Sequence, residues 1–92
     1  MSHYKTWTDQ STKAVDTAQS VTGDLEIRYT GSWEDGFVWV ESKAVDESVY
    51  TEVPGTKHAI PTKFNLTVND TSVMYRFACQ NISGTVNCYM GP

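Results

Sequence analysis

The stretch from Ser72 to Met90, SVMYRFACQNISGTVNCYM, constrains what this 92-residue chain can become more than any other. Its apolar residues recur at every second position, the period of a pleated strand. Val73, Tyr75, Phe77 and Cys79 fall on one face of a first strand, and Val86, Cys88 and Met90 on one face of a second. A two-residue turn at Ser83-Gly84 sets Cys79 opposite Cys88 at a non-hydrogen-bonded pair, where opposed strands come closest and a disulfide can close. The expectation is a hairpin locked by a Cys79–Cys88 bridge worth roughly 2.5–3 kcal/mol on the loop-entropy argument. The alternative is two free buried thiols. Upstream, Phe64, Leu66 and Val68 alternate with Lys63, Asn65 and Thr67, and Asn69-Asp70 supplies turn residues, which predicts a third strand in the same meander.

A second hairpin is expected from Asp24 to Ser42. Leu25, Ile27 and Tyr29 alternate in the first arm, and FVWVE lies at the centre of the second. The connection TGSWEDG places Trp33 at a tip where solvent is expected, which makes Trp33, Glu34 and Asp35 the first candidate ligand-binding residues. The register of this hairpin leaves two readings open. With Tyr29 opposite Val38, the valines Val38 and Val40 face the core while Phe37 and Trp39 form an outer aromatic patch. A shift by one makes Trp39 the central core aromatic, the commoner fate of a strand tryptophan and the favoured reading. Phe37 and Trp39 complete the candidate binding set.

The remaining segments read as short strands. His3 to Asp9 has the threonine-rich alternation of an edge strand. Residues 11–22 suit an irregular strand, with a short helix capped by Ser11 and stopped by Gly23 as the second choice. Val49 to Val53 alternates before Pro54-Gly55, a type II turn signal, and Lys57 to Ile60 can pair briefly before Pro61. Seven or eight strands at this spacing predict an all-β domain spanning residues 1–92, a small two-sheet antiparallel sandwich with an open β-barrel as the alternative. Tyr75-Arg76-Phe77-Ala78-Cys79-Gln80-Asn81 followed by Gly84 resembles the sixth strand and turn of a fibronectin type III domain. That resemblance implies an immunoglobulin- or fibronectin III-like sandwich and says nothing of activity.

Function is narrowed mainly by exclusion. Seven Lys and Arg against eleven Asp and Glu give a formal charge of −4, and no basic cluster exists to neutralise phosphates, so nucleic acid is not an expected partner. No apolar run approaches the roughly 20 residues of a spanning helix, so membrane insertion is not expected. Asn65, Asn69 and Asn81 stand in N-x-S/T sequons and are glycosylation candidates. With the expected bridge they favour a secreted glycoprotein over a cytoplasmic protein. Two histidines with no nucleophile elbow and no metal-ligand spacing argue against an enzyme, a metal site or a cofactor, and the acidic pairs Glu34-Asp35 and Asp46-Glu47 fall in expected loops where adjacent side chains point apart. Three Trp and five Tyr suit flat contact with sugar faces or protein hot spots. The reading is a non-enzymatic, lectin-like module, monomeric or weakly dimeric, for a protein or carbohydrate ligand. The alternative is a disulfide-stiffened hydrolase inhibitor or toxin-like effector.

Overall fold

A computed structural model describes residues 2–92 and contains strands without helices. The strands are β1 (His3–Thr8), β2 (Ala14–Val15), β3 (Gln19–Ser20), β4 (Gly23–Glu34), β5 (Phe37–Lys43), β6 (Thr51–Glu52), β7 (Thr62–Val68), β8 (Met74–Gln80) and β9 (Ser83–Gly91). They form two antiparallel sheets rather than a closed barrel. One runs β1-β9-β4-β7, and the other runs β2-β8-β5-β6 with β3 also on β8. Residues 11–22 become the irregular strand pair β2 and β3, both docked on β8, in place of a helix.

The alternations expected in β4 and β9, and Phe77 and Cys79 of β8, place their apolar residues in the shared core, whereas in β5 it is Val38 and Val40, not the favoured Trp39, that face inward. Leu25, Ile27 and Tyr29 of β4, Val38 and Val40 of β5, Phe77 and Cys79 of β8, and Val86, Cys88 and Met90 of β9 are all buried in one cluster. Strand partners, however, differ from expectation. β4 pairs with β9 and β7, and β5 pairs with β8 and β6. None of the three expected hairpins forms, because β4→β5, β7→β8 and β8→β9 each pass from one sheet to the other. In the immunoglobulin arrangement the last two strands share a sheet; here β8 and β9 lie in opposite sheets.

Two of these connections are two-residue arches stacked side by side. Glu34 ends β4 opposite Ser83 at the start of β9, and Phe37 starts β5 opposite Gln80 at the end of β8. Asp35 and Gly36 turn the first arch with φ of 59° and 58°, and Asn81 turns the second with φ of 60°. These left-handed conformations are tolerated by Gly, Asn and Asp at least cost. Gly36 is pressed on the backbone of the neighbouring arch, where a Cβ would collide with the carbonyl oxygens of Gln80 and Asn81. What makes an arch preferable to a hairpin is the residue it turns inward. Trp33 and Ile82 are buried in the core cluster, whereas a hairpin tip would leave both in water. Burial of each is worth about 1.5–3 kcal/mol.

The same geometry corrects the disulfide. Cys79 and Cys88 lie in β8 and β9, in opposite sheets, and both are free, buried thiols. The expected bridge required direct strand pairing that the arch at Asn81-Ile82 prevents. Burial pushes the Cys79 thiol up to about 11 and raises that of Cys88 as well, where neighbouring Cys79 adds to the effect. The sheets are tied instead by polar contacts. Tyr29 Oη donates to the Thr56 carbonyl at 2.9 Å, and His3 of β1 meets the buried Asp16 carboxylate beside β2 while stacking on Phe77.

Two measurements test this architecture. Gly36→Ala should cost about 3 kcal/mol or more in denaturant unfolding, combining left-handed strain with collision. Gly55→Ala, with φ of 82° in open space, should cost only about 1 kcal/mol. Both cysteines should resist alkylation in native protein and react fully in denaturant, and reductant should leave the melting temperature unchanged. Fewer than two titratable thiols in unreduced, denatured protein would contradict the free pair.

Candidate functional site

Phe37, Trp39 and Glu41 alternate along β5 on the face turned away from the core, because Val38 and Val40 take the inward positions. Phe37 is 46% exposed, whereas Trp39 is only 6% exposed despite facing outward. Neither expected register describes Trp39 fully. It lies on the outer face, as in the first reading, yet it is buried, as in the second. The cover is cationic. Lys57 Nζ lies 5.0 Å from the Trp39 ring centroid and 5.2 Å from that of Phe37, and Lys13 Nζ lies 5.8 Å from Trp39. Aliphatic stems of such lysines shield an aromatic surface while their ammonium groups stay in water.

Beneath this cover sits a buried carboxylate. Glu41 is 3% exposed and is shared by four donor groups from three residues. Trp39 Nε1 donates to Oε2 at 2.9 Å, Lys13 Nζ approaches the same oxygen at 2.9 Å, and Arg76 donates to Oε1 through Nε at 3.0 Å and Nη2 at 2.9 Å. Arg76 reaches it because Glu41 and Arg76 are direct cross-strand partners. Burial alone would raise the Glu41 carboxyl, but the hydrogen bonds from Trp39, Lys13 and Arg76 outweigh it and hold the group below its ordinary value of 4.5. The cluster locks the indole and fixes two cations. It is scaffold rather than catalyst, since no acceptor capacity on Glu41 is left pointing at solvent.

A hollow of about 420 Å³ opens at the arch end of this face. Its walls include Phe37, Trp39, Lys57, Ser11, Gln80 and Asn81. The loop carrying Lys57 is positioned by a two-way bridge in which Val38 and His58 exchange backbone hydrogen bonds at 3.0 and 2.9 Å. The turn before it, Val53 to Thr56, has Gly55 at φ 82° and closes with Thr56 N donating to Val53 O at 3.3 Å, as the type II signal predicts. Four of the seven Lys and Arg, namely Lys13, Lys43, Lys57 and Arg76, lie over aromatic rings of this one face. Lys13 and Arg76 are engaged by Glu41 and Lys43 by the Ala44 and Glu47 carbonyls, so Lys57 is the cation that stands beside the hollow.

Of the residues expected to bind ligand, Phe37 and Trp39 come together here and Trp33 does not. Trp33 is 9% exposed and plugs the first arch, where its buried Nε1 has no hydrogen-bond partner. It is not presented to solvent as expected, because β4 runs on to Glu34 and Trp33 continues the inward alternation of Leu25, Ile27 and Tyr29. Glu34 and Asp35 are exposed at that arch. Lys57, Ser11 and Gln80 were not singled out by the sequence, since they converge from distant segments. The alternation of Trp39 with Glu41, and of Arg76 with Ala78, was the local signal available. Asn81 was marked only as a sequon; it is exposed, as are Asn65 and Asn69.

Among the described residues no three His, Cys, Asp or Glu side chains are placed to hold a metal ion, and no helix is long and apolar enough to cross a membrane. No protein-family model, curated protein or solved structure matches the chain.

A carboxyl lowered in the folded state contributes stability above its unfolded value and loses it as pH falls through the folded one. Glu41→Gln should cost about 2 kcal/mol at neutral pH. It should also flatten the decline in stability that wild type shows below pH 4.5. A variant with an unchanged acid profile would show that Glu41 is not held ionised by its three partners.

Proposed function

We propose that this chain is a non-enzymatic recognition module that binds a glycan in the hollow between Phe37, Trp39 and Lys57. The observation that carries the reading is the combination of one half-exposed ring with ammonium, amide and hydroxyl groups around a single opening. An apolar sugar face can stack on Phe37 while Lys57, Gln80, Asn81 and Ser11 meet ring hydroxyls. Trp39 supports the wall rather than stacking, because Lys13 and Lys57 cover it. Extracellular location is part of the proposal and rests on three exposed sequons, since the cysteines no longer support it.

A second reading, a hydrolase inhibitor or effector, is favoured by one exposed loop. The segment between β5 and β6 shows Val45 at 78% and Val49 at 66% exposure. It is nevertheless ordered: Glu47 N donates to Ala44 O at 3.0 Å, Ala44 N to Glu47 Oε1 at 2.8 Å, and Lys43 Nζ to Glu47 O at 3.0 Å. A rigid loop offering two valines suits an apolar pocket on a partner protein.

An array of neutral glycans, free of uronate and sialate, probed with wild type, Phe37→Ala and Val45→Asp separates the two. The proposal expects binding to a defined subset of glycans, lost at least tenfold in Phe37→Ala and retained in Val45→Asp. Binding indifferent to Phe37, or no glycan binding at all, would overturn it.

A further inference from the structure

The outer face of the first sheet carries a second constellation that owes nothing to the Phe37 hollow. Strand register arranges it in two ranks across β1, β9 and β4. Tyr4 stands opposite Tyr89, and Tyr89 opposite Arg28; one step along, Thr6 stands opposite Asn87, and Asn87 opposite Thr30. The first rank is thus aromatic, aromatic, guanidinium, and the second is hydroxyl, amide, hydroxyl. Between them lies a hollow of about 310 Å³, at the lower end of the size range of small-ligand sites.

The first rank is built, not incidental. Tyr89 lies back along the sheet over Gly91, where any side chain would collide with its hydroxyl, and Ser2 Oγ lies 3.3 Å from that hydroxyl. Arg28 lies over the Tyr89 ring with Cζ 4.1 Å from the centroid, a contact that restrains the guanidinium. Its Nε approaches Glu26 Oε2 at 3.0 Å without hydrogen-bond alignment and has no partner. Tyr4 packs on Tyr89 at 5.0 Å yet remains 69% exposed, which leaves much of its ring open. In the second rank, Thr6 donates to Asn87 Oδ1 at 2.8 Å, which commits the amide oxygen and leaves the amide N–H groups as donors.

We infer that this face is a binding site for a pyranose bearing a carboxylate, with the carboxylate on Arg28, the apolar sugar face on Tyr4 and ring hydroxyls on Thr6, Asn87 and Thr30. A planar guanidinium restrained by an aromatic ring selects a carboxylate by paired, parallel hydrogen bonds. The adjacent hydroxyl–amide–hydroxyl rank distinguishes a sugar acid from a bare anion. With Glu26 beside Arg28 and Lys63 beside Glu26 at 3.9 Å, the local charge remains positive, so an acid is preferred over a neutral sugar.

The test is an NMR titration of the labelled full chain at constant ionic strength with sodium glucuronate, sodium N-acetylneuraminate, glucose and sodium acetate. At least one sugar acid should shift the amides of Tyr4, Thr6, Arg28, Thr30, Asn87 and Tyr89, binding at least tenfold more tightly than glucose or acetate. The stronger of the two acids tells uronate from sialate. Arg28→Gln should abolish the preference for the acid, and Arg28→Lys, which keeps the charge but not the fork, should weaken it severalfold. No shift at these residues with either sugar acid, equal binding of acetate, or full affinity in Arg28→Gln would overturn the site. Shifts at Phe37, Gln80 and Asn81 report the other hollow separately, so failure of one site is distinguishable from failure of the other.

Discussion

The structure depends on the backbone contact between two arches. Gly36 touches the carbonyls of Gln80 and Asn81, and Gly84 approaches Ser32 so closely that a Cβ would strike its carbonyl oxygen. This contact lets β4→β5 and β8→β9 rise side by side, and it fixes both sheet registers at once: Trp33 on Gly84 in one sheet, Phe37 on Gln80 in the other. Trp33 and Ile82 fill the space beneath. Once the arches are in place, the remaining strands have little choice of partner. β7 and β1 take the open edges of one sheet, and β2, β3 and β6 take those of the other.

From this closure follows the placement of the two proposed binding surfaces. Because the arch reverses the chain at Asp35-Gly36, the next residue, Phe37, emerges on the outer face beside Gln80 and Asn81 rather than at a distant tip. The hollow is therefore part of the closed end of the sandwich and inherits its rigidity. Trp39, one alternation along, is held by Glu41 and capped by lysines from two other segments. On the opposite sheet, the long pairing of β4 with β9 aligns Arg28 with Tyr89 and Thr30 with Asn87. Each sheet thus offers a rigid outer face of distinct chemistry.

How far the sequence could be read follows from what alternation encodes. Period two states which residues of a strand share a face, and that is local information. The inward sets of β4, β7, β8 and β9 were legible for this reason. Alternation does not state which strand lies alongside, because the inner faces of both sheets are equally apolar. Cys79 and Cys88 suit a hairpin turned at Ser83-Gly84, which leaves Ile82 facing outward near the tip, and equally an arch turned at Asn81-Ile82, which buries it. Trp33 continues the inward alternation of β4, which a turn expected within Gly31 to Gly36 obscured. The candidate site was half legible, through Phe37 and Trp39. Lys57, Ser11 and Gln80 reach it only by long-range folding, and Lys13 buries Trp39 in a way no local pattern shows.

The most direct measurement is a set of interstrand backbone NOEs on labelled protein. Contacts joining Val38 with Cys79, and Tyr29 with Cys88, are expected, with no ladder between Cys79 and Cys88. A continuous ladder from Cys79–Cys88 through Gln80–Asn87 would restore the hairpin, remove the paired arches and dissolve both surfaces described above.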